Sequence, residues 1–271
     1  MSESYQSIQY CQVSLDQQED LEGQVISETP VSLTVNGLPW LTLMCTPTDL
    51  EAMAVGFLYN ENIIKKKEEI ASVRICLSGD NVDVWLHHHA DKPKDWRRTS
   101  GCTGGVTGVQ SRAGAQGMAT LKTNGDCLSA EQVYDLVGGL FEAQTLYRKT
   151  GGVHTTALSD GQSIRLVAED IGRHNTLDKI AGRCVLEDIW PERRVLITTG
   201  RISSEMLQKS MRIGASIVIS RTSPSSMSIA LARDWGITLI GYAHRNRFNI
   251  YAHPQRILVR LPSHPGACSE A

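Results

Sequence analysis

Cys102 lies in Thr99-Ser100-Gly101-Cys102-Thr103-Gly104-Gly105, where flanking glycines leave the thiol open and the backbone free to bend. Arg97 and Arg98 precede it, and positive charge favours the thiolate, the reactive form of cysteine. The expected chemistry is that of a sulfur nucleophile. The other six cysteines, Cys11, Cys45, Cys76, Cys127, Cys184 and Cys268, are widely spaced, and no Cys-x-x-Cys pair occurs. That pattern excludes a disulfide framework or a zinc knuckle as the organising device. Cys45, Cys76 and Cys184 sit in apolar stretches and read as small buried hydrophobes.

A second cluster is Ala168-Glu169-Asp170-Ile171-Gly172-Arg173-His174-Asn175, with two acids, an arginine and a histidine at a strand-to-helix junction. Such a junction can hold an anion at the helix N-terminus, and His174 can serve as a general base. The plainer alternative is a capping cluster with a surface salt bridge. Tyr242-Ala243-His244-Arg245-Asn246-Arg247 forms a third group. Its aromatic can stack on a base while its arginines meet phosphates. His154 reads as a structural histidine and His87-His88-His89 as a solvated loop.

The elements that must position these residues are legible from periodicity. Residues 1–27 are polar and are expected to form a frayed arm. Val31 to Val35 and Leu38 to Met44 read as a hairpin around Asn36-Gly37. Thr46-Pro47-Thr48-Asp49 reads as the cap and first turn of a helix to about Tyr59. Strands are expected at 73–77 and 82–86, and Lys65-Lys66-Lys67 reads as a solvated charged patch. A helix is expected from the Ser129 cap to Gln144, a hairpin around Asp160-Gly161, and a short helix over 172–181. The last third alternates strand and helix: 195–199, 203–213, 216–219, 223–235 opened by Ser223-Pro224, and 237–240. Short links in that order give parallel strands with right-handed crossovers. Ligands of such sheets bind beyond the C-terminal strand ends.

The chain has 271 residues and a net charge of −2, from 27 Lys+Arg and 29 Asp+Glu. The average conceals a split, since residues 191–260 carry +8 and the remainder −10. The arginines fall at three expected strand ends, at Arg201, Arg221 and Arg245 to Arg247, which points to an anionic ligand there rather than to general nucleic-acid binding. With 41% hydrophobic and 21% charged residues the chain is neither disordered nor of low complexity. No apolar run of about 18 residues occurs, so no membrane span is expected. The first residues lack a basic and then apolar leader, and a cytoplasmic location is expected. The organisation expected is an N-terminal β-rich layer with one helix over 1–95, a mobile Gly-rich loop carrying Cys102 over 96–125, and an α/β core over 126–271.

Several spaced segments together resemble the formate dehydrogenase accessory sulfurtransferase family, the FdhD family. They are Ser100-Gly101-Cys102, Glu169 through Lys179, Thr199 through Met206 with Gln208-Lys209, Ile240-Gly241-Tyr242, and Tyr251 through Arg256. The resemblance covers about Glu28 to Ile257. It implies a cytidine-deaminase-like core with a mostly parallel sheet, and a homodimer. It implies a persulfide carrier that takes sulfur from a cysteine desulfurase on Cys102. The sulfur passes to the molybdenum (or tungsten) bis-guanine-dinucleotide cofactor destined for formate dehydrogenase, a client ligand held transiently rather than a resident cofactor. Tyr242, Ala243, His244, Arg245, Asn246 and Arg247, with Arg201, Arg173 and His174, would bind that dinucleotide. No bound metal, nucleic acid or membrane is implied.

One departure is plain: many relatives carry Cys-x-x-Cys in the loop, and here the second position is Gly105. A single thiolate suffices to accept and hold a persulfide. Other readings remain open. A zinc deaminase needs His-x-Glu and Pro-Cys-x-x-Cys, and the sequence has neither. A hydrolase would pair Cys102 with His154 or His174. A nucleotide-binding chaperone for the cofactor would need no cysteine.

Overall fold

The computed structural model describes residues 3–93, 96–98, 106–108 and 126–259. The expected N-terminal arm is instead a long hairpin, in which β1 (Tyr5–Val13) pairs antiparallel with β2 (Gln18–Ile26). Its Gln-rich and acidic sequence hides the alternation that marks a half-buried strand, because most of the hairpin is buried on neither face. β3 (Thr29–Val35) and β4 (Leu38–Cys45) form the expected hairpin, with Asn36 and Gly37 both at positive φ.

Helix α1 (Leu50–Asn60) starts later than Thr46-Pro47 suggests. Its N-cap is Asp49, at φ 50° and without a side-chain cap bond. Thr46 is engaged elsewhere: its N–H donates to Asp170 Oδ2 (3.1 Å) and its Oγ1 accepts from the Ile171 N–H (3.1 Å). β5 (Ile70–Ile75) and β6 (Asn81–Leu86) complete a sheet ordered β4-β3-β6-β5. Val31, Leu33, Val35, Val82 and Val84 of this sheet share a core with Phe57 and Leu58 of α1. Short strands β7 (Trp96–Arg98) and β8 (Val106–Gly108) pair antiparallel. They bracket Cys102, which, with most of the 96–125 segment, lies outside the described residues.

β9 (Leu128–Ser129) leads into α2 (Ala130–Glu142), capped as expected by Ser129, whose Oγ accepts from the Gln132 N–H at 3.2 Å. The short helix α3 (Leu146–Thr150) precedes β10 (His154–Ser159) and β11 (Ile164–Asp170). α4 (Arg173–Glu187) extends beyond the expected 172–181. Then β12 (Val195–Thr198), α5 (Ser204–Ile213), β13 (Ile217–Ser220), α6 (Ser226–Trp235) and β14 (Thr238–Gly241) alternate as read from sequence. α6 is capped by Ser225 rather than Ser223, because Pro224 is held in a bridge with Ile202. β15 (Asn249–Ala252) follows, and β16 (Ile257–Leu258) pairs with β9.

The main sheet runs β11-β10-β12-β13-β14-β15. Only β12, β13 and β14 are mutually parallel, and the other three pairings are antiparallel. The mostly parallel sheet expected from sequence is therefore mixed. Helical crossovers make the parallel neighbours, whereas the tight turns at 160–163 and 242–248 can only return antiparallel. Leu196, Val218 and Leu239 face a core shared with α4, α5 and α6, while Val195, Ile197, Ile217 and Ile219 face the core under α2.

The two sheets are joined through α1 and α4. A Cβ on Gly56 would collide with the Asp178 carbonyl, and one on Gly182 with the Ala52 carbonyl, so the two helices touch backbone to backbone. Charged groups are sealed into this joint. Lys179 Nζ pairs with Asp170 (2.7 Å) and Lys209 Nζ with Asp178 (2.6 Å). Asn60 Nδ2 donates to Asp178 Oδ1 (2.7 Å), and Asn175 Nδ2 to Asp170 Oδ1 (2.9 Å).

Candidate functional site

The C-terminal ends of β12, β13 and β14 open onto one edge, and the chain there is shaped by hydroxyls and glycines. Gly200 N–H donates to Thr198 Oγ1 (3.1 Å), and Ser220 Oγ–H donates to the Gly200 carbonyl (2.7 Å). A Cβ on Gly200 would lie 2.9 Å from Arg173 Cβ, so glycine is what lets the buried stem of Arg173 cross the end of β12. Arg201, the next residue, is exposed. Ser203 closes the loop by capping α5, its Oγ accepting from the Met206 N–H at 3.4 Å.

Arg173 and His174 open α4 behind the Gly172 N-cap, whose N–H is held by Asp170 Oδ1 (2.7 Å). His174 is buried, with Nε2 3.5 Å from Ser203 Oγ. His154, half-buried at the start of β10, has Nδ1 3.3 Å from Thr199 Oγ1. Burial, followed by the charge of Arg173 and then of Arg201, holds the His154 imidazole below its usual pKa, against the pull of Asp170. Burial, then Lys209, Arg173 and His154, holds His174 well below the usual value. Both rings are neutral at neutral pH, so each offers one N–H donor and one acceptor, and the positive charge of the edge is carried by arginine.

The turn after β14 is fixed at its root and open at its tip. Tyr242 takes φ 50° and its N–H donates to the Thr222 carbonyl (3.0 Å), while Ala243 N–H donates to the Ser220 carbonyl (3.0 Å). Ala243 is fully buried, so it anchors the turn and offers a ligand no side chain. His244 N–H donates to the Arg247 carbonyl (2.9 Å), closing a turn that exposes Arg245, Asn246 and Arg247. Tyr242 is 46% exposed, with its ring free to be covered. On the next strand end the Arg221 guanidinium lies 4.3 Å from the Phe141 ring centroid, directed toward α2.

The acids of the second cluster are committed to structure. Glu169 accepts from the Thr145, Leu146 and Tyr147 N–H groups and from Thr145 Oγ1, at 2.7–3.0 Å, and so caps α3. Asp170 accepts from Thr46, Gly172, Asn175 and Lys179. Neither carboxylate is available as a general base. In place of the surface salt bridge of the plainer alternative stands a buried network that includes Asp178, Lys179 and Lys209. Their signal is charge inside an otherwise apolar helix stripe, since buried Lys and Asp occur almost only in pairs.

Cys45 and Cys184 are buried, and burial pushes each thiol up to about 12, which makes both inert as nucleophiles. Cys76 departs from the apolar setting expected of it: its Sγ–H donates to Asp80 Oδ1 (3.0 Å) in a partly exposed turn. Among the described residues no group of three or more His, Cys, Asp or Glu could hold a metal ion, and no helix is long and apolar enough to cross a membrane.

A family model described as the FdhD/NarQ family matches residues 26–258. A sulfur carrier protein FdhD from Staphylococcus haemolyticus is 38% identical over 246 residues, covering 87% of this chain and 93% of the relative. Another of that name from Staphylococcus aureus is 36% identical over 238 residues, covering 87% and 89%. The crystal structure of a formate dehydrogenase accessory protein from Desulfotalea psychrophila superposes with a TM-score of 0.81 at 29% identity, covering 94% of this chain and all of that one. With the model match spanning most of its length and relatives at this identity, the chain belongs to the FdhD/NarQ family.

Proposed function

We propose that this protein is a cytoplasmic sulfur carrier that serves formate dehydrogenase, with Cys102 as the carrying residue. The Cys102 thiolate attacks the terminal sulfur of a persulfide on a cysteine desulfurase. The donor's S–S bond breaks, its cysteine leaves as a thiolate, and a persulfide forms on Cys102 with no net redox change. The carried sulfur is destined for the molybdenum (or tungsten) bis-guanine-dinucleotide cofactor, which is the client and not a resident group. This makes the protein a sulfurtransferase. The reading includes a cytidine-deaminase-like core, supported by the mixed sheet with helices on both faces.

The observation that carries the reading is the convergence at one sheet edge. Arg201 follows the end of β12, Arg173 at the start of α4 packs against Gly200 there, and the Tyr242 to Arg247 turn follows β14. An exposed tyrosine beside exposed arginines suits a purine base and its pyrophosphate. The neutral His154 and His174 can donate or accept hydrogen bonds there without adding charge. The names of the relatives support sulfur carriage in particular.

The test is mass spectrometry of the Cys102 peptide after incubation with a cysteine desulfurase and cysteine, alongside formate dehydrogenase maturation in cells. The wild-type peptide gains the mass of one sulfur atom. Cys102→Ala loses both persulfide and maturation. Full maturation without Cys102 would leave a nucleotide-binding chaperone in place of the carrier.

A further inference from the structure

One row of the main sheet carries hydroxyls where the next row carries aliphatic side chains. Thr156, Thr198 and Ser220 stand in register across β10, β12 and β13, and all three are buried. Two residues deeper the same strands pair Leu158, Leu196 and Val218. A buried hydroxyl is costly unless it is hydrogen-bonded, so this row marks polar groups that need each other.

Ser220 is the most heavily used of the three. Its one proton goes to the Gly200 carbonyl at 2.7 Å. Its oxygen accepts the Thr222 N–H at 3.0 Å and lies 3.2 Å from Thr222 Oγ1, whose proton it can accept. A hydroxyl has one proton and two lone pairs, so these contacts use it fully and lock the side chain. The Gly200 carbonyl needs such a donor, because Gly200 is buried and lies beyond the last residue of β12, outside the strand ladder.

Two paths leave this node. On one side Gly200 N–H donates to Thr198 Oγ1 (3.1 Å), which also accepts from Thr156 Oγ1 (2.9 Å). Thr176 Oγ1 lies 2.6 Å from Thr156 Oγ1 and 2.7 Å from the Arg173 carbonyl. That path runs past the neighbour of Arg201 and ends on the backbone of Arg173. On the other side the Ser220 carbonyl accepts the Ala243 N–H and the Thr222 carbonyl accepts the Tyr242 N–H, each at 3.0 Å.

We propose that Ser220 is a positioning residue of the dinucleotide edge, holding the loop of Arg201 against the turn of Tyr242 so that phosphate and base meet parts already in place. This rests on the nucleotide reading above and adds that its two halves share one buried hydroxyl. Ser220 is itself fully buried, so it acts through those two segments and not by touching the ligand. Fixing both in advance removes an ordering cost from binding. Alanine at this position would leave the Gly200 carbonyl without its donor and the Thr222 N–H without its acceptor.

Ser220→Ala and Ser220→Cys in the full chain test the proposal, with Ser210→Ala as the control. Ser210 is also buried, and its hydroxyl bonds within its own helix, to the Met206 carbonyl (2.8 Å). One readout is hydrogen exchange by mass spectrometry without ligand. The other is calorimetric titration with guanosine and with pyrophosphate, separately. Ser220→Ala is expected to speed exchange in both 199–203 and 241–244, and to weaken both compounds by about three- to tenfold. Ser220→Cys, whose thiol is a weaker donor, should fall between Ser220→Ala and the wild type. Ser210→Ala should change neither segment and neither affinity. Faster exchange in one segment alone or in neither, or weakening of one compound alone, would overturn the inference. If both segments loosen in Ser220→Ala while the wild type binds neither compound, the positioning role stands and the nucleotide reading falls.

Discussion

Asp170 and Lys179 form an ion pair of 2.7 Å in which neither side chain is exposed to solvent. Two further contacts of Lys179 Nζ are the Thr46 carbonyl (3.2 Å) and Thr48 Oγ1 (3.0 Å), so one ammonium ties the end of β11 to the entry of α1. The pair holds the N-terminal sheet to the core directly below the arginine edge. Removing one partner leaves an uncompensated buried charge, which costs about 3–5 kcal/mol. Lys179→Met is expected to destabilise the protein by that amount in urea denaturation. A loss below about 1 kcal/mol would show that Thr46, Gly172 and Asn175 alone satisfy Asp170.

The same joint makes a second demand at Gly56 and Gly182. Each sits against the backbone of the facing helix, with no room for a methyl group. Overpacking a tight core costs about 1–3 kcal/mol and more where nothing can yield. Here the obstacle is a peptide carbonyl, so Gly56→Ala and Gly182→Ala should each cost about 3 kcal/mol or more. Gly138→Ala is the control, because nothing lies within 4 Å of a Cβ there, and it should leave stability unchanged or slightly raised. Thermal unfolding of the three variants checks the contrast.

Local rules recovered the elements whose partners are near in sequence. Asn36-Gly37, the Ser129 cap and the strand–helix alternation after Val195 all specify themselves within a few residues. Local signals mislead where a distant residue competes for them. Thr46 would cap α1, yet it is held by Asp170 and Ile171. Ser223 would cap α6, yet Pro224 is pinned beside Ile202. The hairpin at 5–26 escaped because burial, the source of an alternating pattern, is absent there. In the candidate site, strand-end logic places Arg201, Arg221 and the 242–247 turn, while Arg173 is read from the strand-to-helix junction before α4. The neutral state of the two histidines is read from neither, because it depends on burial and on charges that only the fold brings together.

Those histidines give the protein an acid-side weakness. His154 and His174 both have folded pKa values below the ordinary 6.5, chiefly through burial. Below that value the unfolded chain takes up protons that the folded chain refuses, so stability falls as pH drops through and below 6.5 toward the folded pKa values. Above 6.5 both states are neutral at these rings and the contribution is flat. Urea midpoints should therefore decline between pH 7.5 and pH 5, and His174→Gln should flatten that decline. An unchanged slope in His174→Gln would place the acid sensitivity in other groups.

Arg201 separates binding from folding at the arginine edge. It is exposed, and among the described residues its side chain makes no hydrogen bond or ion pair, so its removal should leave the denaturation midpoint in place. Arg173 differs, because its stem is packed under Gly200 and its loss would disturb the end of β12. A charge-assisted hydrogen bond from guanidinium to phosphate contributes about 1.5–3 kcal/mol when desolvated. Solvent exposure discounts this, so Arg201→Ala is expected to weaken binding of guanosine diphosphate by about three- to tenfold. Raising ionic strength should weaken the wild type more than the variant, since the variant has lost one screened contact. Titration calorimetry at two salt concentrations reads both effects. Equal affinity in wild type and Arg201→Ala would move the phosphate site away from the end of β12 and toward the Arg245 to Arg247 turn.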